Sequence, residues 1–139
     1  VKAEKLRPVL GKLHTLKPNR LEAELLSGVP ITGTDSLHRA AQTLLETGLH
    51  RVFISLGADG VYAADQSGSV TLPAPKAEMV STTGCGDSFM AALTWAYLQG
   101  SDLERSARAG LAASSLTMES AETIHPSMSE AELLRRMAL

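Results

Sequence analysis

Aromatic side chains are scarce in this sequence, 4% of its 139 residues. Flat platforms on which bases or sugars could stack are correspondingly few. There is a single cysteine, Cys85, so no internal disulfide can form, and a thiol-bearing protein of the cytoplasm is the reading that follows. Basic residues are not in excess, and the formal net charge is −2. A dedicated nucleic-acid surface needs a clustered positive face, so no nucleic-acid partner is expected. No apolar run approaches the length of a membrane span, and no membrane partner is expected either. A secretory signal is missing from the start. An initiator methionine is missing too: Val1-Lys2-Ala3-Glu4-Lys5 begins as though within a domain. The chain is therefore expected to be a piece of a longer one.

What is present is the balance of an ordinary globular protein, 44% apolar and 20% charged, with enough length for one modest domain and a real core. Helical and extended patterns alternate, which indicates an α/β fold. The spacing predicts a helix over 6–13, a short strand over 14–17 ended by Pro18, and a helix from Asn19 to Leu26 closed by Ser27-Gly28. Asp35 is expected to cap a one-sided helix carrying Leu37, Ala40, Ala41, Leu44 and Leu45. Residues 51–56 are apolar and β-branched, as in a buried strand. The turns 57–60 and 65–68 then set off two further strands, 61–64 and 69–72. Met79-Val80 is expected to be extended. A helix over 85–99 is predicted to bury Phe89, Ala92, Leu93, Ala96 and Tyr97, with Gly100 as its stop. A helix over 103–118 is rich in small residues, which let a backbone or a flat ligand come close. Ser129 and Glu132 have capping-box spacing at the start of a last helix.

Three segments carry candidate chemistry. In Thr83-Gly84-Cys85-Gly86-Asp87 the two glycines let the backbone fold tightly and expose successive N–H groups at a helix start, where an anion can be held. A carboxylate beside bound phosphate is repelled unless it has a task. Asp87 has a natural one, accepting the proton of a hydroxyl that attacks the phosphate. Taken alone, the segment reads equally well as a plain glycine turn. It is neither a Walker A loop, lacking Gly-Lys-Ser/Thr, nor a dinucleotide fingerprint, since Phe89 stands where the third glycine belongs. In Lys17-Pro18-Asn19-Arg20-Leu21-Glu22, Asn19 and Glu22 share one helix start. They could hold the waters of a magnesium ion, or simply form a capping box. In Ser55-Leu56-Gly57-Ala58-Asp59-Gly60 a strand end meets a glycine turn, where α/β folds bind ligands; a hairpin turn alone explains it as well. Cys85 has no matching His and Asn partners and reads as packing. The histidines at 14, 38, 50 and 125 lack metal-ligand spacing, and His125-Pro126 is expected to be loop.

In this order, Lys-Pro-Asn-x-x-Glu, Ser-Leu-Gly-x-x-Gly and Thr-Thr-Gly-x-Gly-Asp, the chain resembles the C-terminal half of a ribokinase-like (PfkB) carbohydrate kinase, from about Leu13 to Pro126. Within that family the segment 14–24 looks most like pseudouridine and related nucleoside kinases. The resemblance implies the nucleotide-binding part of a three-layer αβα fold, so that 1–139 is a single partial domain. It implies ATP and Mg2+ as cofactors and a small sugar or nucleoside as substrate. Asp87 would be the catalytic base, and Gly84, Cys85 and Gly86 the anion hole. Asn19 and Glu22 would organise magnesium through water. Lys17, Asn19, Ser55, Gly57, Asp59, Gly60, Ala112 and Ser115 would line the nucleotide site. Ser81 and Thr83 would bound a monovalent-cation site. Ser81 replaces the family's usual aspartate and is a poorer ligand, which leaves K+ open. Cys85 replaces the usual alanine, at no cost to a backbone anion hole. A homodimer is compatible with the sequence. The family's sugar-binding residues and lid lie mostly in an N-terminal half outside these residues. The alternative is therefore a non-catalytic remnant that binds nucleotide or a partner chain, with a nicotinamide oxidoreductase a further rival that the missing third glycine disfavours.

Overall fold

The structure, a computed structural model, describes residues 2–75, 84–119 and 129–138. The chain gathers into two compact units, Val1–Gly57 with Val61–Thr71, and Ala58–Gly60 with Leu72–Leu139.

The first unit opens with a helix where one is expected, Lys2–Lys12, and it is a 3₁₀ helix that starts earlier than predicted. Pro8 lies inside it, supplies no N–H and crowds the preceding turn, which disfavours α-geometry. Strand β1 is only Thr15–Leu16. Helix α1, Arg20–Ser27, ends at Gly28, whose left-handed backbone (φ 74°) lets its amide reach the Glu24 carbonyl at 2.8 Å. Helix α2, Thr34–Leu45, starts before Asp35, so Asp35 is not its cap. Ser36 takes the capping role: its hydroxyl oxygen accepts the amides of Thr32 (2.8 Å) and Gly33 (3.0 Å). Asp35 sits in the first turn, where its charge suits the helix's positive end.

Strands β2 (Arg51–Ser55), β3 (Val61–Asp65) and β4 (Gly68–Leu72) complete a sheet of order β1-β2-β3-β4. β1 runs parallel to β2, with Thr15 opposite Arg51. β3 runs antiparallel to β2, with Ser55 opposite Val61 and Arg51 opposite Asp65. The sheet is thus mixed. Val52, Ile54, Tyr62 and Ala64 point to one face and join Ala23, Leu26, Ala40, Leu44 and Leu45 of the helices in a single core. Phe53, Val61 and Ala63 alternate to the opposite face and are also buried. Burial on both faces explains why β2 reads as a continuous apolar run rather than an alternating one.

The second unit is built on α3 (Cys85–Leu98), α4 (Leu103–Met118) and α5 (Glu130–Met137). α3 stops at Gly100 (φ 72°), whose amide bonds the Tyr97 carbonyl while that of Ser101 bonds Ala96, both at 3.0 Å. This Schellman pattern turns the chain within four residues. Asp102 then caps α4 by accepting the Arg105 amide at 2.8 Å. Alanines 92, 96, 109, 112 and 113 let the helices approach closely around Leu133 and Met137. Tyr97, expected in the buried face, is instead 57% exposed. α3 is apolar or uncharged around its whole circumference beyond Asp87, so periodicity cannot set the phase of its buried face. Ser129 caps α5 through the Glu132 amide at 3.1 Å, but the Glu132 carboxylate pairs with Arg135. Arg136 clasps Glu119 with two bonds of 2.7 and 3.0 Å. The Glu119 carboxylate, bonded to that guanidinium, pushes its pKa upward against the effect of burial.

Candidate active site

In the second unit, Gly84 holds a left-handed conformation (φ 81°) as the N-cap of α3. That geometry favours glycine and delivers the chain into the helix in one step. The Gly84 carbonyl accepts the Ser88 amide at 2.9 Å. A trans peptide is planar with C=O and N–H opposed, so this bond along α3 directs the Cys85 N–H out of the helix start. The amides of the first helical turn have no acceptor within the helix and sit at its positive end. Gly86 and Asp87 are exposed beside them. An anion can therefore meet several N–H donors with one carboxylate at hand.

The other side of this turn is fastened to α4. The Ser114 hydroxyl donates to the Cys85 carbonyl at 3.0 Å, and the Cys85 thiol donates to the Ser114 carbonyl at 3.6 Å. One turn further, the hydroxyls of Ser88 and Thr117 meet at 2.6 Å in a buried pair. Burial pushes the Cys85 thiol up from its ordinary pKa, so it is a poor nucleophile, in line with its reading as a packing residue. Ser88 and Thr117 escaped the sequence reading, which takes Ser114 only as one of the small residues of the 103–118 helix. The signal that could have found them is the matching three-residue spacing, 85 and 88 on one helix against 114 and 117 on the next.

Ala112 and Ser115, read from sequence as nucleotide-lining, are 1% and 3% exposed. Ala112 belongs to the core of α3, α4 and α5. The Ser115 hydroxyl donates to the Ala112 carbonyl at 2.9 Å and receives Arg136 at 3.4 Å. Neither side chain offers free surface here; both pack. What approaches the small-residue stripe of α4 is the Phe89 ring, which lies against Gly110.

In the first unit, two segments far apart in sequence lie side by side. The Ser55 amide donates to the Pro18 carbonyl at 2.9 Å, and Asn19 pairs with Ser55 in a parallel bridge. Asn19, Glu22 and Ser55 therefore share the carboxyl ends of the parallel strands β1 and β2, where α/β sheets bind ligands. Lys17, half-buried, stands in the β1–α1 connection. Asn19 and Glu22 form the full capping box: the Asn19 side-chain oxygen accepts the Glu22 amide at 2.8 Å and Glu22 Oε1 accepts the Asn19 amide at 3.0 Å. The box uses Glu22 Oε1 and not Oε2. No group of three metal-ligating side chains occurs among the described residues. Residues Gly57–Asp59 form a single exposed 3₁₀ turn that carries Gly57 (φ 60°) and Asp59. Gly60 is buried at φ 99°, and a Cβ there would fall 1.9 Å from the Leu72 carbonyl oxygen, so its requirement for glycine is structural. Ser81 and Thr83 lie outside the described residues, as do Met79-Val80 and His125-Pro126. Among the described residues no helix is long and apolar enough to cross a membrane.

Residues 2–131 match the model of the pfkB family of carbohydrate kinases. The chain is 38% identical over 134 residues to the pseudouridine kinase of Escherichia coli strain K12, covering 96% of this chain and 43% of that protein. It superposes on phosphofructokinase-2 from Escherichia coli, solved with substrates and products, with a TM-score of 0.86 at 29% identity, covering 98% of this chain and 44% of that one. Against Arabidopsis thaliana ribokinase, solved with ribose and ATP, the TM-score is 0.83 at 28% identity, covering 96% of this chain and 43% of that one. The chain thus spans under half the length of these relatives. Its mixed sheet and helices are those of a ribokinase-like fold, and the chain belongs to the pfkB family of carbohydrate kinases.

Proposed function

We propose that this chain supplies phosphoryl-transfer machinery for an ATP-dependent kinase that phosphorylates a hydroxyl of a sugar or nucleoside, with a pseudouridine-like nucleoside as the first substrate to try. The observation that carries the reading is the start of α3. There, exposed Asp87 stands beside the outward amides of the Gly84–Gly86 turn. Asp87 takes the proton of the attacking hydroxyl as the new oxygen–phosphorus bond forms and the bond to the leaving ADP breaks. The Cys85 and Gly86 amides face the oxygens on which charge gathers, an electrostatic contribution that is usually the largest in such reactions. Asn19 and Glu22 hold the water shell of magnesium, and Lys17, Ser55, Gly57 and Asp59 contact the nucleotide. Magnesium, when bound, neutralises phosphate charge. The identities of the relatives support this assignment: they are named as kinases of pseudouridine, fructose phosphate and ribose.

The test is turnover of the full-length gene product with ATP and a panel of sugars and nucleosides. Asp87→Asn keeps the side-chain volume and removes the base, so turnover is expected to fall by about 10²–10⁴-fold with ATP still bound. Near-normal turnover in that variant would sink the assignment.

A further inference from the structure

The peptide unit between Cys85 and Gly86 has one end in the anion-binding turn and the other tied to a neighbouring helix. Its carbonyl oxygen receives the Ser114 hydroxyl at 3.0 Å. Because a trans peptide is a rigid plane with C=O and N–H opposed, a bond that holds the carbonyl also aims the N–H. No cis peptide bond interrupts this geometry among the described residues. We infer that Ser114 is a positioning residue for phosphoryl transfer: through the Cys85 carbonyl it orients and polarises the Gly86 N–H that faces the transferring group. The inference rests on the kinase reading above.

Three observations favour this over general helix packing. The contact is reciprocal, since the Cys85 thiol returns a bond to the Ser114 carbonyl. It is backed one turn along by the buried Ser88–Thr117 pair at 2.6 Å, which prevents α3 from rolling on α4. And Ser114 stands out from the alanines around it on α4 as a half-buried hydroxyl directed at the first turn of α3. A hydrogen bond accepted by a carbonyl draws electron density along the amide and strengthens its N–H as a donor. The sulfur arm is long and involves a weak donor, so the hydroxyl arm carries the orientation.

The experiment uses the full-length gene product with three variants. Ser114→Ala is expected to lower kcat about three- to tenfold, the range for one lost neutral hydrogen bond. The KM for ATP should stay within about twofold, because the bond matters most when charge gathers on the transferring group. Ser114→Thr retains the hydroxyl and is expected to restore kcat to within about twofold. Thermal midpoints, measured alongside, confirm that each variant is folded at the assay temperature. A Ser114→Ala protein with a lowered midpoint but unchanged kcat overturns the inference and leaves a packing role. The same holds if Ser114→Thr fails to recover. Asp87→Asn separates the two levels: if it is dead while Ser114→Ala is normal, the positioning role alone fails, whereas if it turns over normally the kinase reading fails with it.

Discussion

Gly110 offers a sharp test of how tightly α3 and α4 are packed. A Cβ built on this residue would lie 2.5, 2.6 and 2.7 Å from ring atoms Cε1, Cζ and Cδ1 of Phe89. Carbon atoms rest at about 3.5–4.0 Å, so the ring would have to retreat by about 1 Å. Phe89 is only 4% exposed and cannot swing into solvent. Overpacking of this kind costs about 1–3 kcal/mol. Against it stands the helix preference of alanine over glycine, about 0.8–1.0 kcal/mol at an interior position. Sterics win, and Gly110→Ala is expected to destabilise by about 1 kcal/mol, a fall of about 4 °C in Tm. Urea unfolding followed by far-ultraviolet circular dichroism reads this as a lower midpoint at unchanged slope. A cycle with Phe89→Leu should recover at least about 0.5 kcal/mol of the loss, because the smaller side chain vacates the clash. If Gly110→Ala instead raises the midpoint, alanine's preference has gone unopposed and the close approach of ring and backbone is refuted.

Two further outcomes follow from the first unit. Asn19→Ala removes the cap at α1 and should cost about 1 kcal/mol. Glu22→Gln keeps an oxygen for the Asn19 amide and should leave the unfolding midpoint nearly unchanged, yet raise several-fold the Mg2+ concentration needed for half-maximal turnover; equal Mg2+ curves would remove Glu22 from the metal's water shell. For Asp65, burial acts to raise the carboxyl pKa, but the Ser67 hydroxyl, the Ser67 and Gly68 amides and Arg51 together hold it below its ordinary 3.8. The folded state therefore favours the charged form, and this stabilisation is present above pH 3.8 and lost as the pH falls through the lower folded value. The stability difference between wild type and Asp65→Ala should shrink on acidification through that window, and a constant difference would exclude the charge as its source.

The parts of the fold that were legible in sequence are those decided locally. The Asn19–Glu22 spacing predicts a helix start and the structure realises the whole box. Asp102 is different: it caps α4 just after Gly100, yet the glycine is the signal that sequence makes plain. Where local signals compete, sequence reading falters. Asp35 and Ser36 can both cap a helix, and the geometry selects Ser36 because its hydroxyl reaches back to two amides at once. Pro8 gives the first helix 3₁₀ rather than α geometry, a distinction periodicity does not make. Tyr97 is misassigned because α3 lacks a polar face to set its rotation. The site divides the same way. The glycine turn is a local motif and was visible. The meeting of Asn19 with Ser55 depends on pairing of β1 with β2, and the ties of Cys85 and Ser88 to α4 span 29 residues. Ala112 and Ser115 show the ambiguity of small residues, which make room for a helix as readily as for a ligand.

The Schellman turn at Gly100 has a consequence at the far end of the two helices it joins. An α-helix rotates by about 100° per residue. A change of one residue in the short connector 99–102, if carried into α4, would turn Ser114 and Thr117 away from Cys85 and Ser88 together. The length of a connector about three helical turns from Asp87 is thus a parameter of the phosphate-facing end. Exposed Gln99 should tolerate substitution far better than the connector tolerates a change of length.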